Sequence, residues 1–270
     1  MRTTMKHLIT LNIENGVATV VFDRAEKLNA LTFDSFIQLD SIIKRLKKEK
    51  SLRLVVIEAN GNDFCTGLDV KNISRSPLQM LKLLFKWLPG NANLAQRVTL
   101  GWQTIKAPVI CKIHGRCFGG GMQIALGADF RLVSKDAQFS IMETRWGLTP
   151  DMAGSVMLQG LMPYDQALML THLAEPIDAK TAHSLNLVTQ VCDDLDSACE
   201  QLKASLLAKS PDALAANKRT YQKHMMSNKR KLLAAETLNQ IKILRGKNVK
   251  RAINNRLKDE SKPFYNSANW

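Results

Sequence analysis

The spacing of apolar residues alternates between a period of two and a period near three and a half, and each change marks an element. Leu8-Ile9-Thr10-Leu11-Asn12-Ile13 and Val17-Ala18-Thr19-Val20-Val21-Phe22 are β-branched runs flanking Asn15-Gly16, a dipeptide that supplies both positive-φ positions of a tight hairpin. Across residues 33–48 the apolar positions Phe36, Leu39, Ile42, Ile43 and Leu46 predict an amphipathic helix with Thr32 as N-cap and a basic last turn. Residues 54–59 read as a strand whose first four residues, Leu54-Val55-Val56-Ile57, are apolar without alternation, as in a parallel strand covered on both faces. Helical spacing returns at about 78–87 and 94–105, Ala107-Pro108 interrupts it, and 109–113 reads as a second buried strand. Gly119-Gly120-Gly121 opens a short apolar helix, strand-like runs follow at 130–133 and 138–140, and a loop then carries Glu143 and Asp151. Strand, strand, helix is the recurring unit, which favours right-handed crossovers between parallel strands. Beyond Asp196 the pattern is helical almost to the end, so a boundary is expected near residue 200: a body of residues 1–200 and a helical region of residues 201–270.

With 270 residues, 45% hydrophobic and 23% charged, the chain suits one large domain or one domain with a helical appendage. No apolar run reaches the length of a membrane span, so a membrane partner is not expected. Five cysteines without a C-x-x-C pair indicate neither a disulfide framework nor a zinc ribbon, and with no apolar leader at the N-terminus they suggest a cytoplasmic home. The five histidines show no metal-ligand spacing, so no metal is expected. Charge changes the picture more. The formal net charge is +14, yet residues 1–200 hold 22 basic and 20 acidic side chains against 16 and 4 in residues 201–270. A polyanion is the natural partner of that second region.

Two glycine-bearing loops could expose backbone donors. Asn60-Gly61-Asn62-Asp63-Phe64-Cys65-Thr66-Gly67-Leu68-Asp69-Val70 follows a buried strand, and His114-Gly115-Arg116-Cys117-Phe118-Gly119-Gly120-Gly121-Met122 ends at a helix N-terminus, where unpaired N–H groups gather. Neither matches a dinucleotide or phosphate-loop pattern. Two such donors converging on one point would form an oxyanion hole for a carbonyl that gains negative charge. Glu143 and Asp151 lie among apolar and small residues, where desolvation raises a carboxyl pKa toward working pH, although Asp151 would serve equally as an N-cap. Arg145 and Trp146 read as packing, and Met142, Met152, Met157 and Met162 as core or pocket filling.

Taken together these segments resemble the crotonase (enoyl-CoA hydratase/isomerase) superfamily over essentially the whole chain. Asp23-Arg24-Ala25-Glu26-Lys27-Leu28-Asn29-Ala30-Leu31 follows its D-R-P-E-x-x-N-A-L segment with Ala25 in place of proline, Phe64 to Asp69 follows F-x-A-G-x-D, and Gly115 to Gly121 follows G-x-x-x-G-G-G. The resemblance implies an α/β fold, a spiral of ββα units with a C-terminal helical trimerisation region, hence a homotrimer or hexamer. It implies an acyl-CoA thioester substrate, with coenzyme A carried as part of that substrate and no separate cofactor. Thr66 and Gly120 would be the oxyanion donors, with Lys27, Leu28, Ala30, Gly67, Leu68, Asp69, Gly119 and Gln123 around the substrate. Hydratases of the family use two glutamates, which here fall on Gln123 and Glu143. A Gln can hold a water but cannot take its proton, which impairs hydration. Asp151 falls where isomerases and dehalogenases of the family carry an acid.

Double-bond isomerisation through an oxyanion-stabilised enolate is therefore the favoured activity, with Glu143 and Asp151 as acid/base and hydration as the alternative. A different class, RNA or polyanion binding on a crotonase scaffold, is suggested by Lys229-Arg230-Lys231 and by Lys242, Arg245, Lys247, Lys250, Arg251, Arg256 and Lys258. Few aromatic residues are interleaved with those charges, which argues against nucleic acid. The remaining possibility for them is a basic collar at the mouth of the acyl-CoA site.

Overall fold

The computed structural model describes residues 8–73, 76–88, 90–224, 237–238, 241–258 and 262–267. Lys229-Arg230-Lys231 and the first seven residues lie outside these. Strands β1 (Ile9–Glu14) and β2 (Val17–Phe22) form the expected hairpin, with Asn15 at φ 51° and Gly16 at φ 80°. Helix α1 (Phe33–Lys48) is capped as anticipated: Thr32 Oγ1 accepts from Ser35 N at 3.3 Å while Ser35 Oγ accepts from Thr32 N at 3.1 Å. The later strands are β3 (Leu54–Ala59), β4 (Val109–Ile113), β5 (Arg116–Phe118), β6 (Phe130–Ser134), β7 (Gln138–Ser140), β8 (Ile177–Asp178) and β9 (Gln190–Cys192). The later helices are α2 (Val70–Ile73), α3 (Pro77–Leu84), α4 (Leu94–Leu100), α5 (Gly120–Leu126), α6 (Gly154–Leu158), α7 (Tyr164–Leu173), α8 (Ala179–Ser184), α9 (Leu195–Leu207), α10 (Pro211–His224) and α11 (Lys247–Leu257).

Two stacks of strands result. The larger sheet runs β1-β2-β3-β4-β6-β9, parallel throughout except for the opening hairpin. The smaller runs β5-β7-β8 and is extended by single bridges between Cys65 and Cys117 and between Leu31 and Leu68. After each of β3, β4 and β6 the chain crosses from the first stack to the second, so the resemblance to a ββα spiral holds. Residues of β3 explain its unbroken apolar run. Val55 and Ile57 enter the main core with Phe22, Leu39 and Trp102, while Leu54 and Val56 face a second cluster with Ile110, Leu132 and residues of α9.

Three expectations shift. The helix expected over 94–105 is α4 followed by a 3₁₀ turn, Gly101–Thr104, and the one over 78–87 ends at Leu84 because Phe85 turns extended at ψ 133°. Gly101 lies against Ile43 of α1, where a Cβ would meet Ile43 Cγ2 at 2.8 Å, so the chain tightens where it presses on that helix. Residue 200 lies inside the continuous helix α9, whose apolar face packs on β3, β4 and β6, so no break between elements falls there. Among the described residues no helix is long and apolar enough to cross a membrane, and no group of His, Cys, Asp or Glu could hold a metal ion.

Candidate active site

The loops leaving β3 and β4 are drawn together by a small polar scaffold. Asn29, buried, donates from Nδ2 to Asn60 O and Asp63 O, each at 2.8 Å, while its Oδ1 accepts from Arg24 N at 2.8 Å. Arg24 then pairs with Asp69 at 2.9 Å, and Arg116 with Asp63 at 2.7 Å. Burial pushes Asp69 up, but hydrogen bonds from Arg24 and Asn72 outweigh it and hold the carboxylate below its usual range. Asp69 is thus a scaffold anion rather than an acid. Lys27 and Ala30 serve the same loop through backbone bonds: Ala30 N donates to Lys27 O, and Ala30 O accepts from Arg24.

Register decides which N–H groups are free. Cys65 N donates to Arg116 O at 3.0 Å, Thr66 N to Leu28 O at 3.2 Å, and Asp69 N to Leu31 O at 2.8 Å. The expectation that Thr66 is an oxyanion donor is corrected by that bond, since Leu28 at φ 54° turns its carbonyl onto both the N–H and the hydroxyl of Thr66. Leu68 N and Gly120 N, by contrast, have no hydrogen-bond partner among the described residues. The two segments touch. A Cβ on Gly67 (φ +92°) would stand 3.1 Å from Phe118 O and 3.5 Å from Gly120 N, so only glycine lets the loops approach this closely. Gly119 takes φ 49° and ψ −119°, which turns the chain from β5 into α5 and leaves Gly120 N at the head of the helix.

Glu143 arrives from the loop after β7, in a 3₁₀ turn (Glu143–Trp146). Its Oε1 comes within 3.8 Å of the position a Cβ on Gly119 would take, which brings the carboxylate to the oxyanion loops. Gln123, from α5, is fully buried and engaged at both ends: Nε2 donates to Glu143 Oε1 at 2.5 Å, and Oε1 accepts from Met152 N at 3.1 Å and Gly154 N at 2.9 Å. Gln123, expected around the substrate, is thus turned mainly to the protein, with three of its four hydrogen-bonding positions taken by Glu143, Met152 and Gly154. Glu143 Oε2 is buried without a partner among the described residues. Burial pushes Glu143 above its usual pKa, opposed by the Gln123 bond and helped by the nearby charge of Asp151. Desolvation raises Asp151 likewise. Asp151 is not an N-cap, since α6 starts at Gly154 with Ala153 (φ 67°) before it and no side-chain cap.

Other candidates fall away from the site. Arg145 pairs with Glu175 at the surface, Trp146 is exposed, and Met152, Met157 and Met162 fill the core, with Met152 Sδ closing over Gly120. The arrangement offers two backbone donors without a partner among the described residues, the Glu143 carboxyl beside their loops, and Asp151 near enough to Glu143 for its charge to act there. It can polarise a carbonyl and move a proton on an adjacent carbon.

Known proteins show the same body. The family model for enoyl-CoA hydratase/isomerase matches residues 12–266. The peroxisomal Delta(3,5)-Delta(2,4)-dienoyl-CoA isomerase of Arabidopsis thaliana is 26% identical over 219 residues, 78% of this chain and 79% of that one. The 1,2-epoxyphenylacetyl-CoA isomerase of Escherichia coli (strain K12) is 29% identical over 191 residues, 70% of this chain and 71% of that one. A crystal structure from Thermobifida fusca YX, of a protein assigned as an enoyl-CoA hydratase and in complex with CoA, superposes with a TM-score of 0.76 at 27% identity, covering 90% of this chain and 97% of that one. By its sequence motifs, its two strand stacks and this match along almost its whole length, the chain belongs to the enoyl-CoA hydratase/isomerase family.

Proposed function

We propose that this enzyme shifts a double bond in an unsaturated acyl-CoA, with the N–H groups of Leu68 and Gly120 holding the thioester oxygen and Glu143 and Asp151 moving the proton. The observation that carries the reading is Gln123, committed at both ends and unable to accept a proton, at the place of a hydratase's first glutamate. A carboxylate removes the C2 proton of a 3-enoyl thioester, and the electron pair moves onto the thioester oxygen. The dienolate then takes a proton at C4, which leaves the double bond between C2 and C3. Nothing is added and nothing leaves. For a conjugated dienoyl chain, Glu143 and Asp151 would divide the two ends of the transfer, and a relative in A. thaliana bears the name of such an isomerase. Gly67, Gly119, Leu28 and Ala30 shape the mouth in this reading. A homotrimer or hexamer and a cytoplasmic setting belong to the same proposal, the latter because all five cysteines are free thiols.

The test is product analysis in heavy water with 2-enoyl-, 3-enoyl- and dienoyl-CoA. The expected result is an isomer carrying deuterium and no added water, with exchange at C2 slowed by about 10²-fold or more in Glu143→Gln. A 3-hydroxyacyl-CoA as the main product, or unchanged exchange in both Glu143→Gln and Asp151→Asn, overturns it.

A further inference from the structure

The basic tail contains a built cleft. Lys247, Lys250, Arg251, Asn254 and Lys258 fall at intervals of three, four and seven along α11 and its end, so they share one helix face, and with Lys262 and Tyr265 they line a cavity of about 310 Å³. The size is at the lower end for small-molecule sites, which run from about 300 to 1,000 Å³. From residue 237 to 258 the sequence contains no Asp or Glu. Among the described residues none that lines the cleft is acidic, and Lys247, Lys250, Arg251 and Lys258 form no ion pair with a carboxylate. Asp259 and Glu260 lie outside the described residues. The wall is fixed in place. Asn248, buried, accepts from Tyr265 N at 2.9 Å and donates to Tyr265 O at 3.1 Å and Asp212 Oδ2 at 3.0 Å, and Arg251 donates to the Tyr265 hydroxyl at 2.7 Å.

We propose that this cleft binds a linear oligophosphate, a chain of two or more linked phosphates. Cations strung along eleven residues of helix cover about 16 Å, more than one phosphate or carboxylate can neutralise. The single aromatic wall residue is already occupied, with Lys247 Nζ 5.9 Å and Arg251 Cζ 4.8 Å from the Tyr265 ring centroid. One aromatic residue among the lining, with two cations already near its ring, is a poor platform for stacking successive bases, which favours a bare phosphate chain over single-stranded nucleic acid. The cleft also lies apart from the oxyanion donors of its own chain. The segment after Lys262 is anchored where β3 begins: Arg53 sits 5.6 Å over the Phe264 ring and donates to Leu207 O at 3.0 Å. The oxyanion loop follows the far end of β3, six residues and roughly 20 Å away.

Calorimetry on the full chain at low salt, with inorganic tripolyphosphate and no acyl-CoA, tests the proposal and is independent of any turnover. One site per chain is expected. A Lys250→Glu/Lys258→Glu double variant, both residues being exposed, should weaken binding tenfold or more with unchanged thermal stability. A control reversal at Lys47 and Lys48 on α1 should change it less than threefold. No binding, or an equal loss in the control, overturns the proposal. Separate arms with CoA and with a short single-stranded oligonucleotide identify the source. Tripolyphosphate binding that the double variant weakens, with CoA binding left unchanged by it, supports the assignment; CoA binding that the double variant weakens tenfold makes the cleft part of a substrate site, and oligonucleotide binding tighter than tripolyphosphate and lost in the variant makes it a nucleic-acid surface, and either overturns it.

Discussion

Replacing Gln123 separates its two roles. Gln123→Met keeps roughly the volume but removes three hydrogen bonds, leaving Met152 N, Gly154 N and Glu143 Oε1 without their partner in a buried setting. Each orphaned group costs about 1–3 kcal/mol, so a loss on the order of 3–6 kcal/mol is expected after partial relaxation. Gln123→Glu differs in kind. One carboxylate oxygen can still accept from the two N–H groups, while the other faces Glu143 Oε1 in place of a donor. Two full charges at the 2.5 Å of the present contact would repel by about 7 kcal/mol at an effective dielectric constant of 20. The pair therefore keeps one shared proton through neutral pH. Because the folded pair holds that proton above the unfolded carboxyl pKa, its stability is fully present at acid pH and is lost as pH rises. Denaturant titrations at about pH 5 and pH 8.5 on all three proteins measure this. The Met variant should be weakened at both pH values, and the Glu variant near wild type at the lower and weakened at the higher. A Met variant within about 1 kcal/mol of wild type, or a Glu variant without extra pH dependence, would show that the Gln123 amide does not carry these bonds.

Gly67→Ala forces a side chain into φ +92° and against Phe118 O and Gly120 N. It should reduce turnover more than ~10²-fold by spoiling the oxyanion geometry, and kcat near wild type in a folded variant would contradict the assignment. Because burial raises Glu143 and Asp151, and the group that takes the proton must be ionised, kcat/KM should climb with pH above the ordinary carboxyl range. The same raised values make these carboxyls stabilising below their unfolded pKa and progressively less so as pH rises, so activity and stability should move in opposite directions across that window; parallel curves would count against it. Lys218, buried, pairs with Asp129 at 2.6 Å and donates to Trp102 O and Ala107 O, which ties α10 to the loop before β4. Lys218→Ala should cost about 3–5 kcal/mol in chemical denaturation. The Cys65 thiol, pushed up to about 12 by burial, should resist alkylation in the native protein and react only on unfolding.

Local rules account for what the sequence disclosed. The Asn15-Gly16 hairpin, the Thr32 cap and the two-faced burial of β3 each follow from residues adjacent in the chain. The glycine loops and the raised carboxyls at 143 and 151 were legible for the same reason. Thr66 was misread because alternate N–H groups of an extended segment point in different directions, and which one is consumed depends on the carbonyl of Leu28, 38 residues earlier. Gln123 was judged by its chemistry rather than by its partners, and Met152 N and Gly154 N are supplied by a distant loop. Nor does helical spacing alone reveal that α9 belongs to the body, since its packing partners lie on strands far back in the chain.

One amide bridges two separately built halves. The donors at Leu68 and Gly120 belong to the backbone of two loops braced by Asn29, Arg24 and Asp63, so changes of side chain at most neighbouring positions leave them in place. The carboxyls proposed to move the proton sit together in a single stretch from Glu143 to Gly154, which meets the other half at Gln123 and at Gly120, over which Met152 Sδ closes. A lineage could therefore exchange its reaction by rewriting about a dozen consecutive codons and one amide, while the loops proposed to hold a thioester oxygen are inherited intact.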